Sequence, residues 1–295
     1  MIEQFTAVIV TFKSENIIYK SLSKLPKNLK IILIENSNNI NFKNEIENKF
    51  ENLDCILSGE NIGWGRAANI GIKKVKTKYV LFLNPDLFVE ENVLIKIFDK
   101  IISREDVGVI APETIDKKGR KNIRYGFDIF SKAKLLNKKE NQNELINVDT
   151  LSGHIFLTKK EILDTVGHID ENIFLNFEDR DLFKRIRKEE FKIFVYKNIY
   201  AQHLEGKSSD IKYQDQIDLC TKWHFHWSLI YYTKKHYGKI FAMLIFFKSL
   251  ALNLSKLLFF IIKNDKKKLK LIFFSLKGLI SSISGKASNY RPDIK

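Results

Sequence analysis

The stretch YVLFLNPDLFVEEN, residues 79–92, decides the fold. It opens with five apolar residues in succession, which is typical of a strand buried on both faces, as the strands of parallel sheets are. Pro85 has no backbone N–H to donate to a neighbouring strand, so the strand ends before it. Asp86 therefore stands at the carboxyl end of a buried strand, the edge where open α/β sheets bind ligands. For this stretch alone, an aspartate in a turn that only precedes a helix starting near Glu90 is an equally good interpretation.

The first half of the chain alternates apolar runs with segments of helical period. This order predicts an α/β fold with a mostly parallel, right-handed sheet flanked by helices. A polar excursion at 116–148 precedes a predicted strand at about 151–157, a helix at Glu178–Lys188 and a strand at 191–197. The earlier apolar runs are 7–12, 31–34, 55–57, 79–83 and 107–110, and the helical segments are 17–25, 42–50, 66–75 and 93–102.

The positive charge of the chain lies mostly in its last third. The 295 residues carry a formal net charge of +15. Residues 211–295 hold 16 Lys and Arg against 4 Asp and Glu, which leaves only +3 for the first 210 residues. From about Gln216 the pattern is helical throughout. We therefore expect an α/β domain over residues 1–215 and a basic, amphipathic helical extension over residues 216–295.

Lysines interrupt the apolar stretches of this extension. None of the stretches reaches the roughly 18 to 20 uninterrupted apolar residues expected of a helix that spans a membrane. At helical period Lys248 and Lys256 share one side of a helix. Phe247, Leu250, Leu254 and Leu258 line another, which predicts a helix lying in the membrane interface. The alternative is a helical cap packed on the first domain with its lysines in solvent.

Two further signals concern the compartment. The N-terminus runs directly into a strand pattern and lacks a basic segment followed by a cleavable apolar one, so no signal peptide is predicted. Cys55 and Cys220 form no CxxC or Cys/His cluster, so neither a zinc site nor a disulfide framework is predicted. These signals predict a cytoplasmic protein, peripheral on the inner face of the cell membrane.

Two common nucleotide-binding motifs do not follow the first strand. That strand leads into TFKSEN, residues 11–16, rather than GxxxxGK[ST] or GxGxxG, which excludes a P-loop and a dinucleotide fingerprint there. The glycines of NIGWGRAANIGI, residues 61–72, begin a helix after the third strand, and helix packing explains them as well as ligand binding does.

Taken in order, seven segments resemble the motifs of glycosyltransferase family 2, and most closely its rhamnosyltransferase-like branch. The resemblance covers roughly residues 5–210 and implies a GT-A fold. Each segment alone is a weak signal, whereas the ordered set is specific. The segments are VTFKSEN (10–16), IENSN (34–38), ENIGWGRAANIGI (60–72), LFLNPDL (81–87), LSGHIFLTKKEI (151–162), GHIDENIFLNFEDRDLFKRI (167–186) and QHLEGKSS (202–209).

The resemblance implies a metal site at the end of the fourth strand. In the family an acceptor hydroxyl attacks a nucleotide-activated sugar with inversion, a carboxylate takes its proton, and a divalent metal neutralises the departing diphosphate. NPD occupies the place of the family's Asp-x-Asp motif, so Asp86 is implied as a ligand of Mg²⁺ or Mn²⁺, and Asn84 replaces the first acid. His203, in the HxxGxS of HLEGKS, is implied as a further metal ligand. No such role is expected of the other five histidines.

The resemblance also implies that Asp179, in FEDRD, is the general base. Glu178, Asp179 and Asp181 place three carboxylates within four residues, and such crowding raises the pKa of one of them. Alternatively, these acids at a helix N-terminus pair with Lys184 and Arg185 one turn further on. Glu178, Asp181 and Arg185 are expected to support the base, with Asp181 and Arg185 orienting the helix.

The donor side is implied at the start of the sheet. Thr11 and Phe12 match the segment that cups the nucleobase in relatives, and Glu35 stands where the family usually has Asp. Arg66 either reaches the diphosphate or lies on a solvated helix face. Because the segment reads a pyrimidine in relatives, the expected donor is a dTDP- or UDP-sugar, with dTDP-rhamnose first. The expected donor-binding residues are Thr11, Phe12, Glu15, Glu35, Asn36, Arg66 and Asn84.

The expected function is metal-dependent, inverting addition of one sugar to a hydroxyl of a lipid-linked or cell-surface glycan precursor, at an anionic membrane surface. Processive relatives carry QxxRW, which this sequence lacks; its nearest stretch is QIDLCTKW, residues 216–223. One alternative is a nucleotidyltransferase, which should carry a glycine-rich basic loop behind the first strand. The other is a basic nucleic-acid-binding protein, but the lysines of the tail interleave with long aliphatic runs, so no nucleic-acid partner is expected.

Overall fold

The structure is a computed structural model that describes residues 1–121, 125–127, 144–203, 209–292 and 294. Two stretches of the predicted excursion, 122–124 and 128–143, and five residues of the HLEGKS motif, 204–208, lie outside these residues. The chain forms two compact units, one made of Met1–Ile169 with Asp179–Asp210 and the other of Asp170–Glu178 with Ile211–Lys295. The boundary expected after residue 215 lies close to the second junction but does not anticipate that Asp170–Glu178 belongs to the helical unit.

The described strands of the first unit are β1 Phe5–Thr11, β2 Lys30–Glu35, β3 Leu53–Leu57, β4 Tyr79–Leu83, β5 Leu87–Phe88, β6 Val107–Ile115, β7 Tyr125–Gly126, β8 Leu145–Val148, β9 Thr150–Leu151, β10 Ile155–Lys159 and β11 Lys192–His203. The strand predicted at about 151–157 is in fact two strands, because Ser152–His154 interrupt it.

The main sheet of this unit is mixed. Its described strands run in the order β3-β2-β1-β4-β10-β6-β11-β5, with β8 also pairing with β11. The pairs β1–β2, β2–β3, β1–β4 and β6–β11 are parallel, whereas β10 runs antiparallel to β4 and β6.

Helices cover both faces of this sheet. Phe5, Ala7 and Ile9 of β1 belong to one apolar cluster, and Val8 and Val10 to another, so the strand is buried on both sides, as its continuous apolar run predicts. The helices around the sheet are α1 Glu15–Leu22, α2 Ile40–Lys49, α3 Trp64–Lys74, α4 Glu91–Ile102, α5 Lys160–Val166 and α6 Glu178–Lys188. Of these, α1, α2 and α4 contribute to the first cluster, and α3, α5 and α6 contribute to the second.

Gly71 explains part of the glycine pattern at residues 61–72. A Cβ at this position would lie 2.6 Å from Cγ1 of Val8, so glycine lets α3 pack closely on β1. Gly63, just before α3, has a φ of 87°, a left-handed conformation that glycine adopts without strain. Helix packing and the entry into the helix thus account for both glycines.

The second unit is built around three long helices: α7 Gln214–Tyr237, α8 Lys239–Ile262 and α9 Lys266–Ile283. α7 also forms hydrogen bonds with the segment Asp170–Glu178. Ser228 Oγ donates to the Leu175 carbonyl at 3.0 Å, and the Tyr231 hydroxyl donates to Asp170 Oδ2 at 2.9 Å. Such contacts between distant parts of the chain leave no periodic pattern in the sequence, which is why the segment's membership of this unit was not predicted.

α8 differs from the other helices in what it exposes. Among the described residues it is the one helix that is long and apolar enough to cross a membrane, by length and composition alone, and almost all of it is exposed within the protein. Lys248 and Lys256 interrupt the apolar stretches but do not lower the average hydropathy enough to remove α8 from this class. The lysine interruptions from which an interfacial helix was predicted therefore do not separate α8 from helices that span a membrane.

Candidate active site

The turn after β4 holds the predicted metal ligand. The N–H of Asn84 donates to the carbonyl of His154 at 2.8 Å, and the N–H of Leu87 donates back to the Asn84 carbonyl at 3.3 Å. These bonds close a tight turn at the carboxyl end of a central parallel strand. Asp86 lies in this turn and is only 1% exposed.

The same turn brings Asp86 next to His203. The last pairs of the β5–β11 ladder place His203 opposite Leu87, so Nε2 of His203 lies 3.3 Å from Oδ1 of Asp86. Among the described residues, neither carboxylate oxygen of Asp86 nor Nδ1 of His203 has a hydrogen-bond partner, although all three atoms are buried. Burying a carboxylate without donors is costly, so this pair has the character of a site that a ligand completes.

The pair fits a divalent cation that is also bound by its substrate. Carboxylate and phosphate oxygens are ligands that Mg²⁺ and Mn²⁺ prefer, and an imidazole is a common addition for transition metals. Within the described ranges, however, no group of three or more His, Cys, Asp or Glu side chains could hold a metal ion. Asp86 and His203 could therefore supply only part of the ligands that a divalent cation needs.

His154 is a site residue that the sequence reasoning missed. Its ring centroid lies 4.0 Å from that of His203, and its carbonyl accepts the N–H of Asn84. It is the last residue between β9 and β10, within LSGHIFLTKKEI. Its place in a segment that carries the family resemblance was a signal that could have found it.

Asp179 lies in the first turn of α6, and two backbone N–H groups hold its carboxylate. Oδ2 accepts the N–H of Gly153 at 3.0 Å, and Oδ1 accepts the N–H of Arg180 at 2.7 Å. A Cβ on Gly153 would lie 3.0 Å from Cβ and 3.2 Å from Oδ2 of Asp179, so glycine permits this close approach without displacing the carboxylate. Since Gly153 precedes His154, one short segment contacts both the predicted base and the predicted metal site.

Burial raises the pKa of the Asp179 carboxyl above its ordinary value, against the opposing effect of the Arg180 and Gly153 hydrogen bonds and of the Arg180 charge. The sequence argument also expected a raised pKa in this cluster but attributed it to crowding of carboxylates. The cause here is loss of water around the carboxyl, which penalises its charged form. A raised pKa makes the carboxylate a stronger base than an ordinary aspartate.

Asp181 and Arg185 form a buried pair that holds a neighbouring loop. Nε of Arg185 donates to Oδ2 of Asp181 at 2.8 Å, and Asp181 is completely buried. The two terminal nitrogens of Arg185 donate to the carbonyls of Val166 and His168, each at 2.5 Å. The pair thus fixes α6 against the loop that follows α5, as expected of residues that orient the helix. Glu178, the first residue of α6, is half-buried.

The ends of β1 and β2 carry part of the predicted donor side. Thr11 and Glu35 are direct neighbours in the parallel ladder, and Thr11 Oγ1 donates to Glu35 Oε2 at 2.6 Å. Asn36 is buried: its Nδ2 donates to Asn61 Oδ1 at 3.1 Å, and its Oδ1 accepts the N–H of Ile62 at 3.1 Å. Asn36 therefore joins β2 to the loop that leads into α3.

Of the remaining donor-side residues, Phe12 and Glu15 lie close after β1 in the chain, and Arg66 lies in α3. Phe12 is half-buried, Glu15 begins α1 and accepts from Asn39 Nδ2 at 3.0 Å, and Arg66 is exposed in the first turn of α3. Sequence reasoning missed a contact here: Ser209 Oγ donates to the Phe12 carbonyl at 2.7 Å across a separation of 197 residues. No local pattern signals a contact over such a distance.

The chain is similar to two enzymes that transfer sugars. It is 22% identical over 229 residues to "Low-salt glycan biosynthesis hexosyltransferase Agl10" of Haloferax volcanii, covering 74% of each chain. It is 26% identical over 214 residues to "dTDP-rhamnosyl transferase RfbF" of Shigella flexneri, covering 69% of this chain and 70% of that one.

Solved structures show the same fold. GalNAc-T7 with UDP, GalNAc and Mn²⁺ superposes with a TM-score of 0.54 at 16% identity, over 69% of this chain but only 45% of that one. Residues 1–349 of S. aureus TarS superpose with a TM-score of 0.52 at 17% identity, over 98% of this chain and 93% of that one. At these identities the likeness concerns the fold alone, and it confirms the GT-A architecture expected from the sequence.

The family itself is decided by the match of the model for "Glycosyl transferase family 2" to residues 6–167, more than half of the chain. This match confirms the resemblance inferred from the ordered motifs, and it favours sugar transfer over the nucleotidyltransferase and nucleic-acid-binding alternatives. The chain therefore belongs to glycosyl transferase family 2 and is a glycosyltransferase with a GT-A fold, one that uses a nucleotide-activated sugar as donor.

Proposed function

We propose that the protein adds a single sugar, rhamnose first among the candidates, from a nucleotide diphosphate donor to a hydroxyl of a lipid-linked or cell-surface glycan precursor, in a metal-dependent reaction that inverts the anomeric carbon. The observation that carries the proposal is that Asp86 is buried beside His203. The carboxylate oxygens of Asp86 have no hydrogen-bond partner among the described residues. Its companion is Asp179, whose pKa is raised by burial.

Asp86 and His203 would hold Mg²⁺ or Mn²⁺ together with the donor diphosphate. When bound, the cation neutralises charge on the departing diphosphate. The side chain of Asn84 offers a neutral amide where a second acid would otherwise stand, so the protein contributes one negative charge to this position. Affinity for the metal without nucleotide should therefore be low, and affinity for metal and nucleotide together should be high.

Asp179 would act as the general base. It takes the proton of the acceptor hydroxyl while the hydroxyl oxygen bonds to the anomeric carbon, opposite the leaving group. The bond from that carbon to the diphosphate oxygen breaks, and its electron pair leaves with the nucleoside diphosphate. The N–H groups of Gly153 and Arg180 fix the carboxylate in one orientation for this transfer.

For the donor, we propose a dTDP- or UDP-sugar, and dTDP-rhamnose before the others. The ends of β1 and β2 form the base side, and Arg66 and Asn84 lie toward the diphosphate. The similarity to an enzyme named dTDP-rhamnosyl transferase supports this choice. The similarity to a hexosyltransferase of glycan biosynthesis supports a glycan as the acceptor.

For location, we propose that the second unit binds the anionic cytoplasmic leaflet through α8. Residues at helical spacing form an apolar face on this helix, and each is between 44% and 76% exposed. Isolated apolar residues on a surface are ordinary, but a contiguous face along a 24-residue helix marks an interaction site. The residues of this face are Ile240, Leu244, Phe247, Leu254, Leu258 and Ile261.

Charge selects the membrane over other partners for this face. Between Leu219 and Pro292 the only acidic residue is Asp265, whereas lysines recur along both α8 and α9. Two copies of such a surface would repel each other, and a nucleic acid would not cover an apolar face. Anionic lipid headgroups attract the lysines, at about 1 kcal/mol for each, while the acyl region accepts the apolar side chains.

A donor assay tests the proposed reaction. The purified full-length protein is incubated with Mn²⁺ and dTDP-rhamnose, UDP-glucose or GDP-mannose, and free nucleoside diphosphate and pyrophosphate are both measured. We expect release of dTDP from dTDP-rhamnose, dependence on the metal and no pyrophosphate. Release of pyrophosphate would contradict sugar transfer, and tighter binding of GDP than of both dTDP and UDP would contradict the nucleotide assignment.

A further inference from the structure

We propose that Glu35 is a positioning residue: it does not contact the nucleobase but acts through Ser37 to fix the loop Phe12–Ser14 that receives it. This inference rests on the proposed function, because it concerns the same donor side. It departs from the simplest expectation for an acid at the end of β2, which is a direct hydrogen bond to the base.

The first observation is that the Glu35 carboxylate is enclosed and already occupied. The residue is completely buried. Its Oε2 accepts from Thr11 Oγ1 at 2.6 Å, and its Oε1 accepts both the N–H of Ser37, at 2.8 Å, and the Ser37 hydroxyl. Three neutral donors thus take three of the roughly four lone-pair positions of a carboxylate. A nucleobase could reach this group only if the surrounding chain moved.

The second observation is that Ser37 passes this order on to the loop after β1. Ser37 Oγ, oriented by Glu35, accepts the N–H of Lys13 at 3.3 Å. Lys13 has a φ of 52°, in the left-handed region that side-chain-bearing residues rarely adopt. Such a conformation persists only when its surroundings fix it, and here the hydroxyl of Ser37 holds its N–H.

The third observation is that the opposite edge of the loop is also held. The Lys13 carbonyl accepts the N–H of Asp210 at 2.8 Å, and the Phe12 carbonyl accepts Ser209 Oγ at 2.7 Å. With both edges bound, the loop is a preformed surface and its backbone groups have fixed directions. Discrimination between nucleobases then comes from the backbone groups of this loop. Glu35 acts on it indirectly, because it fixes the position of the loop through Ser37.

The extra methylene of Glu over Asp has a role in this arrangement. The carboxylate spans from Thr11 in the neighbouring strand to Ser37 two residues further along its own chain. Glu35→Asp would shorten this reach and break one of the two connections. The residue that restores the usual acid of the family is therefore expected to weaken donor binding in this chain.

The test is a double-mutant cycle on the full-length protein. Binding of dTDP, UDP and GDP in the presence of Mn²⁺ is measured for the wild type, Glu35→Gln, Ser37→Ala and the double variant. Ser37 is half-exposed, so Ser37→Ala should fold even if a change at buried Glu35 does not. The matched control is Ser58→Ala, which removes a hydroxyl that bonds to the backbone carbonyl of Glu35 at 3.2 Å and not to its carboxylate.

We expect Ser37→Ala to weaken binding of dTDP and UDP about three- to tenfold, the size of one lost hydrogen bond. Glu35→Gln should weaken nucleotide binding by a similar factor. The double variant should bind no more weakly than the single variant that binds least tightly, because both substitutions act through the same hydrogen bonds. The effect of Ser37→Ala should appear mainly in the KM for the donor rather than in the pH profile of kcat, and Ser58→Ala should bind as the wild type does.

Two results would overturn the inference: wild-type nucleotide affinity in Ser37→Ala, or fully additive effects of the two changes, as a direct contact of Glu35 with the base would give. Both differ from a failure of the proposed function. If the wild type binds none of these nucleotides, the donor assignment itself is wrong, whatever the variants do.

Discussion

Gly153→Ala is a sharp perturbation of the proposed base, because it adds one methyl group next to Asp179 and removes nothing. The backbone of Gly153 lies outside the left-handed region, so alanine brings no conformational strain of its own. Its Cβ would lie 3.0 Å from Cβ and 3.2 Å from Oδ2 of Asp179. Since these distances are shorter than ordinary contacts, the carboxylate must shift by about a few tenths of an ångström and turn away from the Gly153 N–H.

A displacement of about 1 Å at a reacting group costs roughly a hundredfold in rate, so a smaller shift at Asp179 should lower kcat by about tenfold or more. The KM for the donor should change little, because the three atoms nearest to the added methyl group all belong to Asp179 and not to a predicted donor-binding residue. The assay is steady-state sugar transfer with dTDP-rhamnose and Mn²⁺, and the matched control is Gly126→Ala. A Cβ at Gly126 would lie 3.5 Å from Cγ2 of Thr150, which is an ordinary contact. Equal kcat in Gly153→Ala and wild type, with both proteins folded, would show that the close contact with Gly153 does not fix the position of the Asp179 carboxylate for catalysis.

Three further outcomes are expected, at Asp179, at the Asp181–Arg185 pair and on the apolar face of α8. Because burial raises the pKa of Asp179, the deprotonated base is lost at a higher pH than for an ordinary aspartate of pKa near 3.9, so kcat should fall as the pH drops through that raised value; Asp179→Asn should still bind dTDP with Mn²⁺ but lose turnover, and wild-type turnover would contradict the assignment. Asp181→Ala leaves its arginine partner without a buried counter-charge and should cost about 3 kcal/mol, seen as a melting temperature lower by about 6–12 °C; an unchanged melting temperature would show that the pair carries no stability. Replacing both Phe247 and Leu258 with Glu should release the protein from phosphatidylglycerol vesicles in sedimentation, since burying two such side chains is worth about 3–6 kcal/mol, whereas Ile211→Glu, also at an exposed apolar residue, should remain bound; sedimentation of the double variant with the vesicles would place the membrane contact elsewhere.

Features that depend on short stretches of sequence were predictable. The strand Tyr79–Leu83 and the helix Glu178–Lys188 have the bounds that the sequence predicts, because a continuous apolar run and a helix with acids first and bases last are local signals. Proline fixes the end of β4 for the same reason, so the placement of Asp86 at the sheet edge followed from a few residues. Other helix and strand ends differ by one to several residues, as expected where frayed turns compete.

Features that depend on contacts across the chain were not predictable. The break at Ser152–His154, which puts one residue against Asp179 and the next against His203, lies inside a run that reads as one strand. The bond from Ser209 to the loop after β1 joins residues 197 positions apart. The enclosure of Glu35 depends on which side chains surround it, and periodicity carries no information about that. Each of these three features depends on which distant residues pack together, and a single sequence carries no direct signal of that packing.

Calorimetric titration of dTDP tests whether Asp86 joins a divalent cation to the donor diphosphate. Wild type and Asp86→Ala are each titrated with and without Mn²⁺, with circular dichroism to confirm that both are folded. We predict that the wild type binds dTDP at least tenfold more tightly with Mn²⁺ and that Asp86→Ala binds it equally with and without the metal. The same gain from Mn²⁺ in Asp86→Ala as in the wild type would contradict the account.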